Sequence, residues 1–188
     1  MNTVIESRPV LASIQEILLN AVAACGGLVV PADVEDVAVA AFQAAPNRFC
    51  WARRHDQIDL EKVRSSLRFL SRREGGQAVI GSTKEGWLLT GEGLGRMADA
   101  TCRLPLPILH DAETWIENER ARLMSEPAYE KWASGRIAEV SRSEALAFFR
   151  GPDAQESWSK AVLVQRLTNA FPEGTDLRPA IDALSRRL

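Results

Sequence analysis

The chain has 188 residues and a formal net charge of −2, so no global positive field draws it to nucleic acid, and any such affinity must come from a local patch. An apolar fraction of 46% suits a globular chain with a sizeable core, yet no apolar run approaches the ~18 residues that a membrane span needs. The three cysteines, Cys25, Cys50 and Cys102, are odd in number, widely spaced and set among apolar residues, which reads as buried free thiols of a reducing cytoplasm rather than as a disulfide framework or a zinc site.

Between residues 9 and 25 the apolar positions Leu11, Ile14, Ile17, Leu18, Ala21, Val22 and Cys25 recur every three or four residues, the period of a helix with one buried face. Pro9 suits its first turn, and Gly26 and Gly27 its stop. Leu28, Val29 and Val30 are too few for a helix and predict one short strand. Pro31 and Asp33 then open a second helix, with Asp33 as N-cap, which ends before Pro46. Residues 47–57 read as a connection carrying Phe49, Trp51, Arg53, Arg54 and His55. A third helix follows, with Ile58 as staple and Asp59 as N-cap. At 100° per residue, Leu60, Val63, Leu67 and Leu70 share its inner face. Its outer face carries Glu61, Lys62, Ser65, Arg68, Phe69 and Arg72. Phe69 does not fit a purely solvated face, so it either packs under the hairpin that follows or meets a partner. Gly75 and Gly76 stop this helix. Residues 77–81 and 86–90 have strand character and are joined by the polar turn 82–85, with Lys84 near its tip. Thr90 is a good N-cap for a short helix over 91–100.

Helix, short strand, helix, helix and hairpin, in that order, resemble the winged helix-turn-helix superfamily over roughly residues 11–100. The run KEGWLLTGEGL at 84–94 looks like the wing-to-helix signature of bacterial members, in which a lysine or arginine precedes glycine, an aromatic residue and Leu-Thr. The resemblance implies double-stranded DNA as partner, with the third helix in the major groove and the hairpin as a wing. Some members of the superfamily bind only proteins.

Charge distribution points the same way. From Arg48 to Glu74 eight basic residues stand against four acidic ones, net +4, whereas from Thr101 onward 12 basic residues stand against 13 acidic ones, net −1. Positive charge is thus concentrated on one helix and the segment before it, the footprint of DNA contact through one element. Lys62, Ser65 and Arg68 are the candidates for base edges or adjacent phosphates; Arg53, Arg54, Arg72 and Lys84 are candidates for phosphates, and Arg64 completes the set.

Catalytic motifs do not assemble. The glycines at 91–95 follow the hairpin and lack the spacing of a dinucleotide loop. Residues 76–81 have P-loop spacing, but Ser82 stands where the lysine belongs, and Ser157 to Lys160 matches Ser-x-x-Lys with no partner motif. His55 and His110 have no clear carboxylate or cysteine arrangement in the sequence. No catalysis, cofactor or metal is expected.

Two prolines at 103–107 break the pattern, which divides the chain into a winged helix-turn-helix domain, 1–102, and an all-helical association domain, 103–188, of a mainly α protein. Helices are expected at 111–124, at 126–133 before Gly135, after the capping-box pattern Ser141-Arg142-Ser143-Glu144, over 155–171, and after Thr175. The aromatic residues Trp115, Tyr129, Trp132, Phe148, Phe149, Trp158 and Phe171 fill a small core or complete an interface. Trp115, Trp132 and Trp158 are the interface candidates, with Phe69. Helical domains attached to winged helices commonly form two-fold dimers, which match palindromic half-sites. The resulting expectation is a cytoplasmic, non-enzymatic, homodimeric DNA-binding protein, either a transcriptional regulator or the DNA-reading subunit of a larger system. The alternative is a protein–protein interaction adaptor whose winged helix serves assembly of a multiprotein complex.

Overall fold

Ser13 opens the first helix, α1 (Ile14–Ala24): its hydroxyl accepts the Glu16 backbone N–H at 3.1 Å, and the Glu16 carboxylate accepts the Ser13 N–H at 2.5 Å. The computed structural model describes residues 12–98 and 110–188; Pro9, Leu11 and Cys102, and the expected boundary at 103–107, lie outside them. The chain is mainly helical, with two small antiparallel hairpins.

Helix α2 (Val34–Ala44) starts at Asp33, whose carboxylate accepts the Glu35 N–H at 2.7 Å. The segment after it is more ordered than a plain connection. Pro46 starts the single turn α3 (Pro46–Phe49), and β1 (Cys50–Trp51) then pairs antiparallel with β2 (Arg54–Ile58). Helix α4 (Leu60–Leu70) begins at Asp59, whose carboxylate accepts the Lys62 N–H at 3.0 Å. Val63, Leu67 and Leu70 are fully buried, as the helical period predicts, and each such burial contributes roughly 1.5–3 kcal/mol. The second hairpin, β3 (Val79–Ser82) and β4 (Gly86–Leu89), leads to α5 (Gly91–Ala98). Thr90 caps α5, accepting the Gly93 N–H at 3.2 Å while its hydroxyl donates to the Gln77 carbonyl at 2.7 Å. A Cβ at position 93 would overlap the Ala78 carbonyl, so glycine is what lets α5 sit directly on β3.

Leu28, Val29 and Val30 do not form the expected strand. The residues flanking them bond to β4 instead: the Gly27 carbonyl accepts the Leu89 N–H at 2.8 Å, and Ala32 exchanges two backbone hydrogen bonds with Trp87 at 3.0 and 2.9 Å. The preceding loop is apolar because Val29 inserts into a core, and its carbonyls find side-chain donors instead of a ladder. Arg166 Nε donates to the Val29 carbonyl at 3.2 Å, and Asn169 Nδ2 donates to the carbonyls of Leu28 and Leu89 at 2.7 and 2.8 Å.

Those donors come from the second group of helices: α6 (His110–Ser125), α7 (Pro127–Ala133), α8 (Arg142–Phe149), α9 (Lys160–Ala170) and α10 (Arg178–Ser185). The second hairpin is the wall between two cores. Val79, Trp87 and Leu89 face the core of α1, α2 and α4, whereas Leu88, with Ile80 beside it, faces the core of the later helices. The continuous run Trp87-Leu88-Leu89 is thus buried on both faces. Within this seam Arg166 is wholly buried, paired with Asp153, with its guanidinium carbon 4.5 Å from the Trp115 ring centre and 5.4 Å from that of Trp158.

Two of the later helices are shorter than expected. Helix α9 starts only at Lys160, because Ser159 caps it through the Val162 N–H while Glu85 takes the Ser159 N–H at 2.6 Å. Thr175 does not cap α10; its hydroxyl donates to the Pro172 carbonyl at 2.8 Å, and the helix begins three residues later, at Arg178, with Pro179 in its first turn. The capping box at Ser141 and Glu144 is present as expected, and Lys131 Nζ adds an ion pair to Glu144 at 2.7 Å. No helix among the described residues is long and apolar enough to cross a membrane.

The Glu144 cluster gives a pH-dependent term. Hydrogen bonding from Lys131, then from the Ser141 backbone and hydroxyl, lowers the carboxyl from 4.5 to about 2. A carboxylate depressed in the folded state stabilises fully above its unfolded value, and that contribution disappears as pH falls from about 4.5 towards 2. Glu144→Gln retains a capping residue but removes the charge. Its urea midpoint is expected to lie below the parent's at pH 7 and to converge on it across this acid window.

Candidate nucleic-acid interface

Helix α4 lies between the two hairpins in sequence and in space. Its N-terminus leaves β2 directly, and the Asp59 N–H donates to the Phe49 carbonyl at 2.7 Å, fixing the first hairpin against the start of the helix. Its C-terminus turns through Arg73–Gly75, and Gly76 adopts a left-handed conformation (φ 79°). The Ala78 N–H then donates to the Leu70 carbonyl at 2.9 Å, so β3 leaves from the end of α4 at a fixed angle.

This geometry forms an open groove of about 410 Å³ between the last turns of α4 and the second hairpin. Arg68, Ser71 and Arg72 line one wall; Ser82, Thr83 and Lys84 line the other, with Trp87 also in the lining. Three expected cations, Arg68, Arg72 and Lys84, therefore share one concavity although they come from different elements. Arg68 makes an exposed pair with Glu61 at 3.4 Å, a contact that salt screens and a phosphate displaces at small cost. Ser71 was not foreseen; it lies one helical turn after Arg68, and its hydroxyl donates to the Arg68 carbonyl at 2.9 Å.

The hairpin turn facing this groove is anchored from behind. Glu85 accepts from Ser159 at the head of α9, and its backbone N–H donates to the Ser82 hydroxyl at 3.3 Å. Burial pushes the Glu85 carboxyl up, but hydrogen bonds from Ser159 and Ser82 outweigh it and hold it below the usual value. The turn carrying Lys84 is thus tied to the second helical group.

The other expected residues are placed differently. Ser65 is exposed on α4, where its hydroxyl donates to the Lys62 carbonyl at 3.0 Å; Lys62 itself is half-buried. Arg64 is also half-buried, and its Nε is enclosed with no hydrogen-bond partner. Arg53 and Arg54 are outside the groove, exposed on the first hairpin beyond the N-terminus of α4, with Arg54 3.6 Å from Asp56. Of the four aromatic residues expected at an interface, Phe69 is 41% exposed on α4, whereas Trp158 is 6% exposed and packs in the chain's own second core. Trp115 is half-buried against Arg166, and Trp132 half-buried beside Tyr129.

The hairpin β1–β2 brings Cys50 Sγ within 3.2 Å of His55 Nδ1, a cysteine–histidine contact that the separation along the chain did not reveal. Cys25 is half-buried rather than enclosed; burial first, and Asp36 second, push its thiol up to about 11, so it stays protonated near neutral pH. Among the described residues, no three His, Cys, Asp or Glu side chains gather as a metal site. Comparison with protein-family models, curated proteins and solved structures finds no match to the chain.

Proposed function

We propose that this chain is a winged helix-turn-helix protein that binds double-stranded DNA through α4 and the second hairpin, its wing, without catalysing a reaction. The observation that carries the reading is the convergence of Arg68, Arg72 and Lys84 on one open groove. Such a groove suits a phosphate backbone, while on exposed α4 positions Arg68 presents donors, and Ser65 an acceptor oxygen, to base edges in the major groove. Residues 45–59 separate α2 from α4 by more than a tight turn, so the first hairpin is an insertion in the helix-turn-helix. A regulator of transcription, or the DNA-reading subunit of a larger cytoplasmic system, follows from this reading. A homodimer would present two α4 helices to a palindromic site.

Phe69 supports a second reading, a protein-binding adaptor, because a 41% exposed phenyl ring on α4 suits an apolar partner better than a phosphate.

Salt titration on random duplex DNA by fluorescence anisotropy, with the oligomeric state fixed by light scattering, tests the choice. The DNA reading predicts micromolar-range binding with a log–log salt slope of roughly −0.9 per phosphate neutralised. Absence of binding at low salt overturns it and directs attention to a protein partner.

A further inference from the structure

We propose that the first hairpin is a second nucleic-acid contact, in which Trp51 stacks on an unpaired nucleobase while Arg53 and Arg54 hold the flanking phosphates. The partner class rests on the DNA-binding reading above, but the site is separate from the groove between α4 and the second hairpin.

The hairpin stands clear of the body: every residue from Trp51 to Gln57 is exposed. Trp51 pairs across the strands with Arg54, closing a two-residue turn at Ala52 and Arg53. The register shifts between Cys50 and Trp51, so the residues between Arg54 and Ile58 bulge outward and Trp51, Arg53 and Arg54 share the turn end of the hairpin. Trp51 is 53% exposed, and its Nε1–H donates to the Ile58 carbonyl at 3.0 Å. That bond fixes the ring and occupies its one donor, leaving the aromatic face as the free surface. A fixed aromatic face beside cations is the combination by which proteins hold unstacked bases without reading sequence. Asp56 is the opposing charge, but its pair with Arg54 is long, at 3.6 Å, and both side chains are more than half exposed, so a phosphate displaces it readily.

A protein partner fits this hairpin less well. Apart from Trp51 and Ala52, the exposed stretch 51–57 is polar or charged, too little apolar surface for the core of a protein interface. Position along α4 supports the nucleic acid. The first hairpin stands at the helix's N-terminal end and the cationic groove at its C-terminal end, and an 11-residue helix is only about 16 Å long. A strand that leaves a duplex seated on α4 therefore has little distance to cover before reaching Trp51.

The test uses the full chain and three probes: a blunt duplex, the same duplex with a short single-stranded extension, and the single strand alone. Binding is read by anisotropy and by quenching of intrinsic tryptophan fluorescence. The extension is expected to tighten binding about tenfold, within the range stacking on one base supplies. Trp51→Ala abolishes that gain and leaves blunt-duplex binding unchanged, Trp51→Phe keeps most of it, and both variants lose the extension-dependent quenching. Equal affinity for blunt and extended duplex overturns this inference while the groove reading stands. Single-strand binding that needs Trp51, without duplex binding, upholds the inference and overturns the groove reading. Absence of binding to all three probes overturns both. Loss of self-association in Trp51→Ala, with binding intact, also overturns the inference and assigns the hairpin to a protein contact.

Discussion

Asp153→Ala is expected to lower the unfolding free energy by about 3 kcal/mol and the melting temperature by roughly 6–12 °C, a large loss for a side chain that is itself partly exposed. The reason lies with its partner. Arg166 is 0% exposed, and besides Asp153 its guanidinium has only the Val29 carbonyl and two indole faces; its Nη1 has no partner. Removing the carboxylate leaves a buried cation without its counter-charge, and it also strips Trp115 Nε1 of its acceptor at 3.1 Å. Breaking a buried pair by deleting one partner costs about 3–5 kcal/mol, and the 42% exposure of the Asp153 side chain places this case at the lower end, because solvent enters where the carboxylate stood. The double variant Asp153→Ala with Arg166→Met separates charge from packing. Methionine fills part of the space between the two indoles without a charge, so the double variant is expected to recover at least about 1 kcal/mol over Asp153→Ala alone. Urea unfolding of the single and double variants measures both values. A double variant less stable than Asp153→Ala would show that Arg166 acts here through its shape and its bond to Val29 rather than through its charge.

The same seam explains what the sequence made legible and what it did not. Helix α4 was legible because two independent signals agree: Asp59 caps it, and Val63, Leu67 and Leu70 repeat on one face. The second hairpin was legible from its polar turn between apolar runs. Its role as a wall between two cores was not, since Trp87, Leu88 and Leu89 are apolar without alternation and a short run of that kind fits several structures. Leu28, Val29 and Val30 misled for a related reason. They are apolar like a strand, but the hydrogen bonds that would define one come from Arg166 and Asn169, some 140 positions away. The first hairpin has no visible period, because only its ends, Cys50 and Ile58, turn inward and every residue between them faces solvent. At the candidate site, helical period and hairpin spacing identified Arg68, Arg72 and Lys84 one by one. Their shared groove depends on the angle at which β3 leaves α4, set by Gly76 and the Ala78–Leu70 bond, and no local pattern reports that angle. Trp158 read as an interface candidate because composition counts aromatics without saying what they touch; in the fold it serves Arg166.

The groove's three cations offer the largest expected change in binding. Arg68→Ala, Arg72→Ala and Lys84→Ala combined remove three charges that converge on one surface. If each neutralises one phosphate, the log–log salt slope becomes shallower by about 2.7, and at 0.1 M salt the affinity falls on the order of 500-fold, because each contact then carries about 0.9 of a logarithmic unit. All three side chains are exposed, so stability is expected to stay within about 0.5 kcal/mol of the parent, which separates lost binding from lost folding. The slope distinguishes mechanisms that a single affinity does not. Contacts to phosphates alone change the slope and weaken every sequence alike, whereas a base contact from Arg68 adds a loss confined to particular sequences and leaves the slope of the remaining contacts intact. Measuring Arg68→Ala separately against two unrelated duplexes therefore tells whether this arginine positions the helix or reads the base pairs. A triple variant with the parent's affinity and slope would mean that the groove does not touch DNA, and the exposed Phe69 beside Arg68 on α4 would then mark a protein-binding face.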